Sequence, residues 1–168
     1  MHERDKFCSY CGAQFSSNGY PRACGHCGQV TYRNALPVAV TILPMDGGVL
    51  VVRRGIEPGQ GKLAFPGGYI EFGESWQNAG AREIFEETGI RIEAASIQEF
   101  AVKSAPDGTL LIFGITPAID LELLRSFVPS EEAPEVVIVR DPIEMAFPLH
   151  TEALLQFLTR RKADIGEL

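Results

Sequence analysis

The chain has 168 residues, a hydrophobic content of 45% and a formal net charge of −7, which suits one globular domain with its own core plus a small second module. No low-complexity segment or internal repeat is present, and the longest apolar run, Leu36 to Leu43, is too short to span a bilayer. A membrane-spanning helix, a disordered chain and a strongly basic nucleic-acid binder are thereby excluded. The opening Met-His-Glu-Arg-Asp-Lys lacks the apolar core of a secretion signal, so a cytoplasmic location is expected.

All four cysteines fall near the N-terminus, as Cys8-x-x-Cys11 and Cys24-x-x-Cys27 with twelve residues between the pairs. A reducing compartment disfavours disulfides, and paired knuckles of this kind suit the tetrahedral thiolate shell of a structural Zn²⁺. The spacing therefore predicts a small zinc ribbon over residues 1–34, with Gly12 and Gly28 permitting the knuckle turns. A redox CxxC would come as one pair in a βαβ context, and His26 is not needed as a ligand when four cysteines suffice. The ribbon carries Arg4, Lys6, Arg22 and Arg33 against Glu3 and Asp5. Four thiolates around one Zn²⁺ cancel that excess of two positive charges, so nucleic-acid binding is not expected and a structural or dimer-forming role is. Phe7, Tyr10, Phe15, Tyr20 and Tyr32 read either as a stacking surface for bases or as packing for a module with little core.

Near Asn34 the polar, glycine-rich composition gives way to LPVAVTIL, where a second domain, 35–168, begins. Leu36–Leu43 and Gly48–Arg54 read as strands of a hairpin with the turn at Pro44-Met45-Asp46-Gly47-Gly48. Arg53, Arg54 and Lys62 follow in a domain whose formal charge is minus nine; Arg54 and Lys62 are candidates to meet substrate phosphates. Ser75, a good N-cap, opens a run without proline that closes at Gly89, which predicts a helix. On it Glu83, Glu86 and Glu87 stand at i, i+3 and i+4, with Ala81, Ile84 and Phe85 assigned to the apolar side. Three like charges fit either a solvated acidic face or an oxygen-ligand site for magnesium or manganese. Further strands are predicted over Arg91–Ser104 and Thr109–Pro117, with a turn at Pro106-Asp107-Gly108 between them, and over Glu135–Arg140. The apolar stretch Ile119–Val128 lies between, and a helix closes the chain from about Pro148 to Lys162, with Leu154, Leu155 and Leu158 at core spacing.

Written as a pattern, the central stretch has Gly68, five residues, Glu74, seven residues, Arg82-Glu83-Ile84, one residue, Glu86-Glu87, one residue, Gly89 and Ile90. This resembles a complete Nudix box. The resemblance implies an α/β/α sandwich with a mixed sheet that uses Mg²⁺ or Mn²⁺ to cleave a diphosphate linked to another moiety. It implies Glu83, Glu86 and Glu87 as metal ligands, Arg82 as the residue orienting a neighbouring glutamate, and the main chain at Gly67 or Gly68 approaching the metal. Glu74 would support the helix. The loop residues Glu131, Glu132 and Glu135 are candidates for an extra ligand or general base, as well as for an acidic solvent loop.

For the substrate, a small-molecule nucleotide, the whole-chain pattern resembles plant-type FAD pyrophosphohydrolases and their bacterial relatives. That pattern is FCxxCG and CxHCG, then Tyr32-x-Asn34, Arg54-x-Ile56-x-Pro58 and GYxExGES. It implies FAD as substrate; a homodimer is the assembly expected from the dimer-forming role of the ribbon. Phe65-Pro66-Gly67-Gly68 departs from the plant enzymes, which carry alanine for the first glycine. Pro106 stands about where ADP-ribose hydrolases place a proline, which keeps ADP-ribose as the alternative. The SQPWPFPxS signature of NADH pyrophosphatases has no counterpart after the box, and the arginine pattern of coenzyme A hydrolases is interrupted at Glu57. A non-catalytic nucleotide sensor or nucleic-acid-linked regulator is the alternative of another class, and the intact set of glutamates speaks against it.

Overall fold

The computed structural model describes residues 6–16 and 19–164, with side chains in the last helix described to residue 161. The ribbon charges Glu3, Arg4 and Asp5 lie outside that range. The chain divides into two compact units, Met1–Ala35 and Leu36–Leu168.

The first unit holds one small antiparallel ladder, β1 (Arg22–Ala23) against β2 (Val30–Thr31). Around it run two near-identical knuckles. Gly12 N donates to Cys8 O at 2.9 Å and Cys8 N to Ala13 O at 2.8 Å; Gly28 N donates to Cys24 O at 2.9 Å and Cys24 N to Gln29 O at 2.8 Å. Each knuckle closes on a left-handed glycine, φ 74° at Gly12 and 72° at Gly28, a conformation that costs glycine little.

The second unit is built on β3 (Leu36–Met45). It turns through Asp46 (φ 44°) and Gly47 (φ 69°), the two positive φ values of a tight two-residue hairpin, into β4 (Gly48–Arg53). The short β5 (Leu63–Ala64) pairs with β4, and β6 (Gly67–Tyr69) with β3. Helix α1 (Trp76–Thr88) follows, then β7 (Gln98–Ser104), β8 (Thr109–Ile115), β9 (Glu135–Val139) and α2 (Pro148–Asp164). β8 lies parallel to β3 along Leu36–Ile42, while β7 runs antiparallel to β8 and β9 antiparallel to β4, so the sheet is mixed.

Both faces of this sheet are covered, which is why β3 and β4 are almost continuously apolar. Val40, Ile42, Val49 and Val51 join Phe65, Phe113, Met145 and the α2 residues Ala153, Leu154, Phe157 and Leu158 in one core. Leu43, Met45, Leu50 and Val52 meet Ile84 and Ile90 in the other. The period of two thus sorts neighbouring residues between an α2 layer and an α1 layer, giving the expected α/β/α sandwich.

Several boundaries and faces differ from expectation. The strand expected from Arg91 begins only at Gln98, after a 3₁₀ turn over Ala94–Ser96, because the β8 partner of Gln98 is its last residue, Ile115. The stretch Ile119–Val128 contains a 3₁₀ helix, Leu121–Ser126, whose N-cap Asp120 accepts from Glu122 N at 2.9 Å. On α1 the buried residues are Ala79, Gly80, Ile84 and Thr88, while Phe85 is exposed beneath the guanidinium of Arg91. Leu155 of α2 is likewise exposed, its expected place in the core taken by Phe157.

Candidate active site

Helix α1 starts where Ser75 Oγ accepts from Asn78 N at 3.2 Å and stops at left-handed Gly89, whose N–H donates to Phe85 O. It lies close to β3 because residue 80 is glycine: a Cβ there would stand 2.7 Å from Thr41 Oγ1 and 3.3 Å from Ile97 Cδ1. This approach brings the carboxylates of α1 to the glycine segment of β6. Gly67 N donates to Glu87 Oε2 at 3.1 Å, and a Cβ on Gly68 would collide with the Glu83 carboxylate.

Arg82 organises the rest. Its Nε and Nη2 bind the two oxygens of Glu74, each at 3.1 Å, and Nη2 also donates to Tyr69 O at 3.0 Å. Its Nη1 donates to Glu83 Oε1 at 2.7 Å and to Glu86 Oε2 at 3.1 Å. The hydrogen bond from Arg82 holds the Glu74 carboxyl below its ordinary range, and the same bond raises the guanidinium pKa further.

Beside these residues opens a cleft of about 330 Å³, lined by Gly67, Gly68, Glu83, Glu87, Arg82, Arg54, Glu132, Ile56, Tyr69 and Glu71. Burial pushes Glu87 up to about 8, against the Gly67 hydrogen bond and the charge of Arg54, and with help from the charges of Glu83 and Glu132. Burial raises Glu83 as well, opposed by Arg82.

Arg54 and Glu132 come from separate loops. Arg54 Nε donates to Pro58 O at 2.7 Å, and its guanidinium lies 5.1 Å from the Phe147 ring centroid. Glu132 is carried in by a backbone bond from Gly55 N to Glu132 O, 2.8 Å; a Cβ on Gly55 would run into the main chain of Glu131. Lys62 and Glu131 are exposed and do not line the cleft, and Glu135 instead pairs with Arg53 at 2.5 Å. Glu86, with 54% of its side chain exposed, sits outside the lining on the Arg82 fork.

A family model for the NUDIX domain matches residues 34–145, more than half of the chain. The chain belongs to the NUDIX domain family. Among curated proteins it is 31% identical over 95 residues to the NAD-capped RNA hydrolase NudC of Klebsiella pneumoniae, covering 55% of this chain and 37% of that protein. It is 34% identical over 92 residues to NudC of Haemophilus influenzae, covering 52% and 35%. The chain thus spans a little over a third of the length of the curated relatives it matches. Among solved structures it resembles a NUDIX hydrolase from Nitrosomonas europaea with a TM-score of 0.78 at 27% identity, covering 94% of this chain and 93% of that one.

Nudix enzymes require a divalent cation, and the cleft of this chain fits one. Its donors are carboxylate oxygens with main-chain atoms of Gly67 and Gly68 beside them, the hard set that Mg²⁺ and Mn²⁺ take. Burial drives two of those carboxylates toward the neutral form, and that deficit of positive charge is what a dication would supply. The glutamates are not gathered into a tight ligand group: among the described residues only the four cysteines bring their ligand atoms within 4.8 Å of one another.

The cysteine quartet fits zinc geometrically. Cys8 and Cys27 Sγ are 3.8 Å apart and Cys11 and Cys24 Sγ 3.7 Å. A tetrahedron of thiolates with Zn–S of about 2.3 Å has edges of about 3.8 Å. All four thiols are free. The N–H groups of Cys27 and His26 hold the Cys24 thiol down to about 6, while at Cys11, against the Ala13 N–H, the neighbouring thiols, Cys27 first, push the thiol up to about 12, so the four thiols share their protons unequally.

Proposed function

We propose that this Nudix protein hydrolyses the diphosphate bond of a dinucleotide, with FAD, cleaved to FMN and AMP, as the leading substrate. The observation that carries the reading is the pairing of two partly buried carboxylates, Glu83 and Glu87, with Arg54 across one cleft lined by Gly67 and Gly68. Mg²⁺ or Mn²⁺ held by Glu83, Glu86 and Glu87 beside the main chain of Gly67 or Gly68 would neutralise diphosphate oxygens and lower the pKa of a water.

The residues of the chain do the remaining work. Arg82 fixes the Glu83 carboxylate against Gly68 and opposes the burial that raises it, and Gly67 N–H fixes Glu87. The guanidinium of Arg54, held by Pro58 O and the Phe147 ring, meets negative charge on the substrate phosphates. Among the three loop glutamates Glu132 is the one that lines the cleft, and it would take the proton of the attacking water. Lys62 would act only on substrate groups outside the cleft. Ile56 and Tyr69 offer apolar surface to a planar ring at the same opening. The ribbon takes one structural Zn²⁺, and its free thiols suit a reducing cytosol. Homodimerisation through the ribbon completes the proposal, with light scattering as its check.

FAD rests on the pattern from FCxxCG to GYxExGES. An NAD-type diphosphate is the second reading, favoured by the identity to NAD-capped RNA hydrolases. No helix among the described residues is long and apolar enough to cross a membrane. Specificity constants for FAD, ADP-ribose, NADH and an NAD-capped oligoribonucleotide, measured side by side with magnesium or manganese, test the assignment. A preference for either NAD-type substrate overturns FAD, and turnover of none of them overturns hydrolysis.

A further inference from the structure

We propose that His150, at the start of α2, is a positioning residue that sets both walls of the cleft through its unprotonated Nδ1 and its ring. The residues between β5 and β6 are the problem it solves. Phe65 and Pro66 belong to neither strand, yet Phe65 is 2% exposed. Its N–H is therefore buried between two ladders with no strand partner, a position where an unmet donor is costly. His150, 85 residues along the chain, supplies the acceptor: Phe65 N donates to His150 Nδ1 at 3.2 Å. Thr41 N donates to Pro66 O at 2.9 Å from the other side. The next N–H, of Gly67, is the one that binds Glu87. His150 thus fixes the segment that aims the metal-facing glycines.

The second wall is reached through rings. His150 stacks on Phe65 at 5.8 Å, meets Phe113 edge-on at 5.5 Å and leans on Phe147 at 5.1 Å. Phe147 in turn carries the guanidinium of Arg54. His150 is 5% exposed and is not itself among the residues that line the cleft. An acceptor, rather than a mere filler, is what the site demands, so asparagine, whose side-chain oxygen stands near the place of Nδ1, is a partial replacement and phenylalanine is not.

The test compares His150→Phe and His150→Asn in the full chain, and the activity arm rests on the function proposed above. Amide exchange at Phe65, followed by NMR in chelator, is the readout independent of turnover. His150→Phe is expected to exchange that amide about tenfold faster. With FAD and saturating magnesium, kcat should fall about 10–100-fold, as for lost supporting partners of metal sites, with KM within about threefold of wild type. His150→Asn should restore both protection and most of kcat, even where its melting temperature stays below wild type. Unchanged exchange at Phe65 in His150→Phe, or equal losses in the two variants when both are folded, would overturn the proposal. If the wild type hydrolyses no dinucleotide, the functional reading fails and the exchange comparison still decides the structural one.

Discussion

Removing Arg82 is expected to destabilise the metal-free protein more than any other single surface-accessible charge. In the absence of a dication, Arg82 is the cation that holds Glu74, Glu83 and Glu86 together. Its side chain is 27% exposed, and those of Glu74 and Glu83 are 17% and 15% exposed, so solvent screens these contacts only in part. A shielded charge-assisted hydrogen bond contributes about 1.5–3 kcal/mol net, whereas an exposed pair of the Glu86 kind contributes about 0.2–1 kcal/mol. The contacts share one guanidinium and do not add. Weighing them together, Arg82→Ala should cost about 2–4 kcal/mol, or about 6–12 °C in Tm for a unit of this size.

Urea unfolding in chelator measures the loss, and repeating it with magnesium separates the two cations. Bound dication stabilises by mass action and compensates part of the lost positive charge, so the gap between wild type and Arg82→Ala should narrow. Arg82→Lys should recover less than half, because a point charge cannot reproduce the two-pronged grip on Glu74. Glu74→Gln should cost much less in the Arg82→Ala background than in wild type. An Arg82→Ala midpoint equal to wild type in chelator would refute the reasoning.

Glu87→Gln should abolish most turnover with the fold intact, and because it relieves a buried carboxylate it should raise Tm in chelator; wild-type turnover at modest magnesium contradicts the metal-site assignment. Gly68→Ala places a methyl against the Glu83 carboxylate and should cost about 1–3 kcal/mol of stability, as overpacking does, together with activity. Purified without added metal, the protein should carry one zinc per chain by elemental analysis, and Cys24→Ser should melt the ribbon while Leu36–Leu168 stays folded; two disulfides on thiol titration contradict this. Burial, with the charge of Arg54 facing it, holds His150 down to about 3, below its ordinary 6.5. Its contribution is therefore fully present above pH 6.5 and is lost as pH falls toward 3, where the unfolded chain takes the proton first. Across that window the stability of wild type relative to His150→Phe should rise with pH; the total slope also carries Glu87, whose raised carboxyl acts in the opposite sense between its ordinary 4.5 and about 8.

What the sequence disclosed were features with short-range causes. Asp46-Gly47 forces a hairpin by its backbone alone, Ser75 and Gly89 bracket α1 by capping, and the knuckle glycines sit one residue past their cysteines. What stayed hidden depends on contacts made far along the chain. The alternation at Ile90 and Ile92 looks like a strand, but both side chains serve the α1 core, and β8 ends before it can offer them a ladder. Gly55 and Gly80 look like ordinary glycines until the main chain of Glu131 and the hydroxyl of Thr41 are brought against them. His150 gave no signal, because its partner Phe65 N–H is an atom every residue but proline possesses.

The glutamates show how far helix arithmetic carries. At about 100° per residue, Glu83 and Glu87 lie about 40° apart around α1, and so do Arg82 and Glu86, the second pair offset by about 100° from the first. Read as pairs, the spacing yields two adjoining stripes: two carboxylates turned together into the cleft, and a cation with its own carboxylate beside them. The structure has this division, with Glu83 and Glu87 lining the cleft and Glu86 held on the Arg82 fork. A dication that recruits all three glutamates must therefore compete with Arg82 for Glu86 and Glu83, but for Glu87 only with one backbone N–H. The bidentate hold of Arg82 on Glu74 would keep the guanidinium in place if Glu86 left it for a dication. On the proposed metal assignment, Glu74, which would bind no metal, would be the residue that lets the box change partners without losing its arginine.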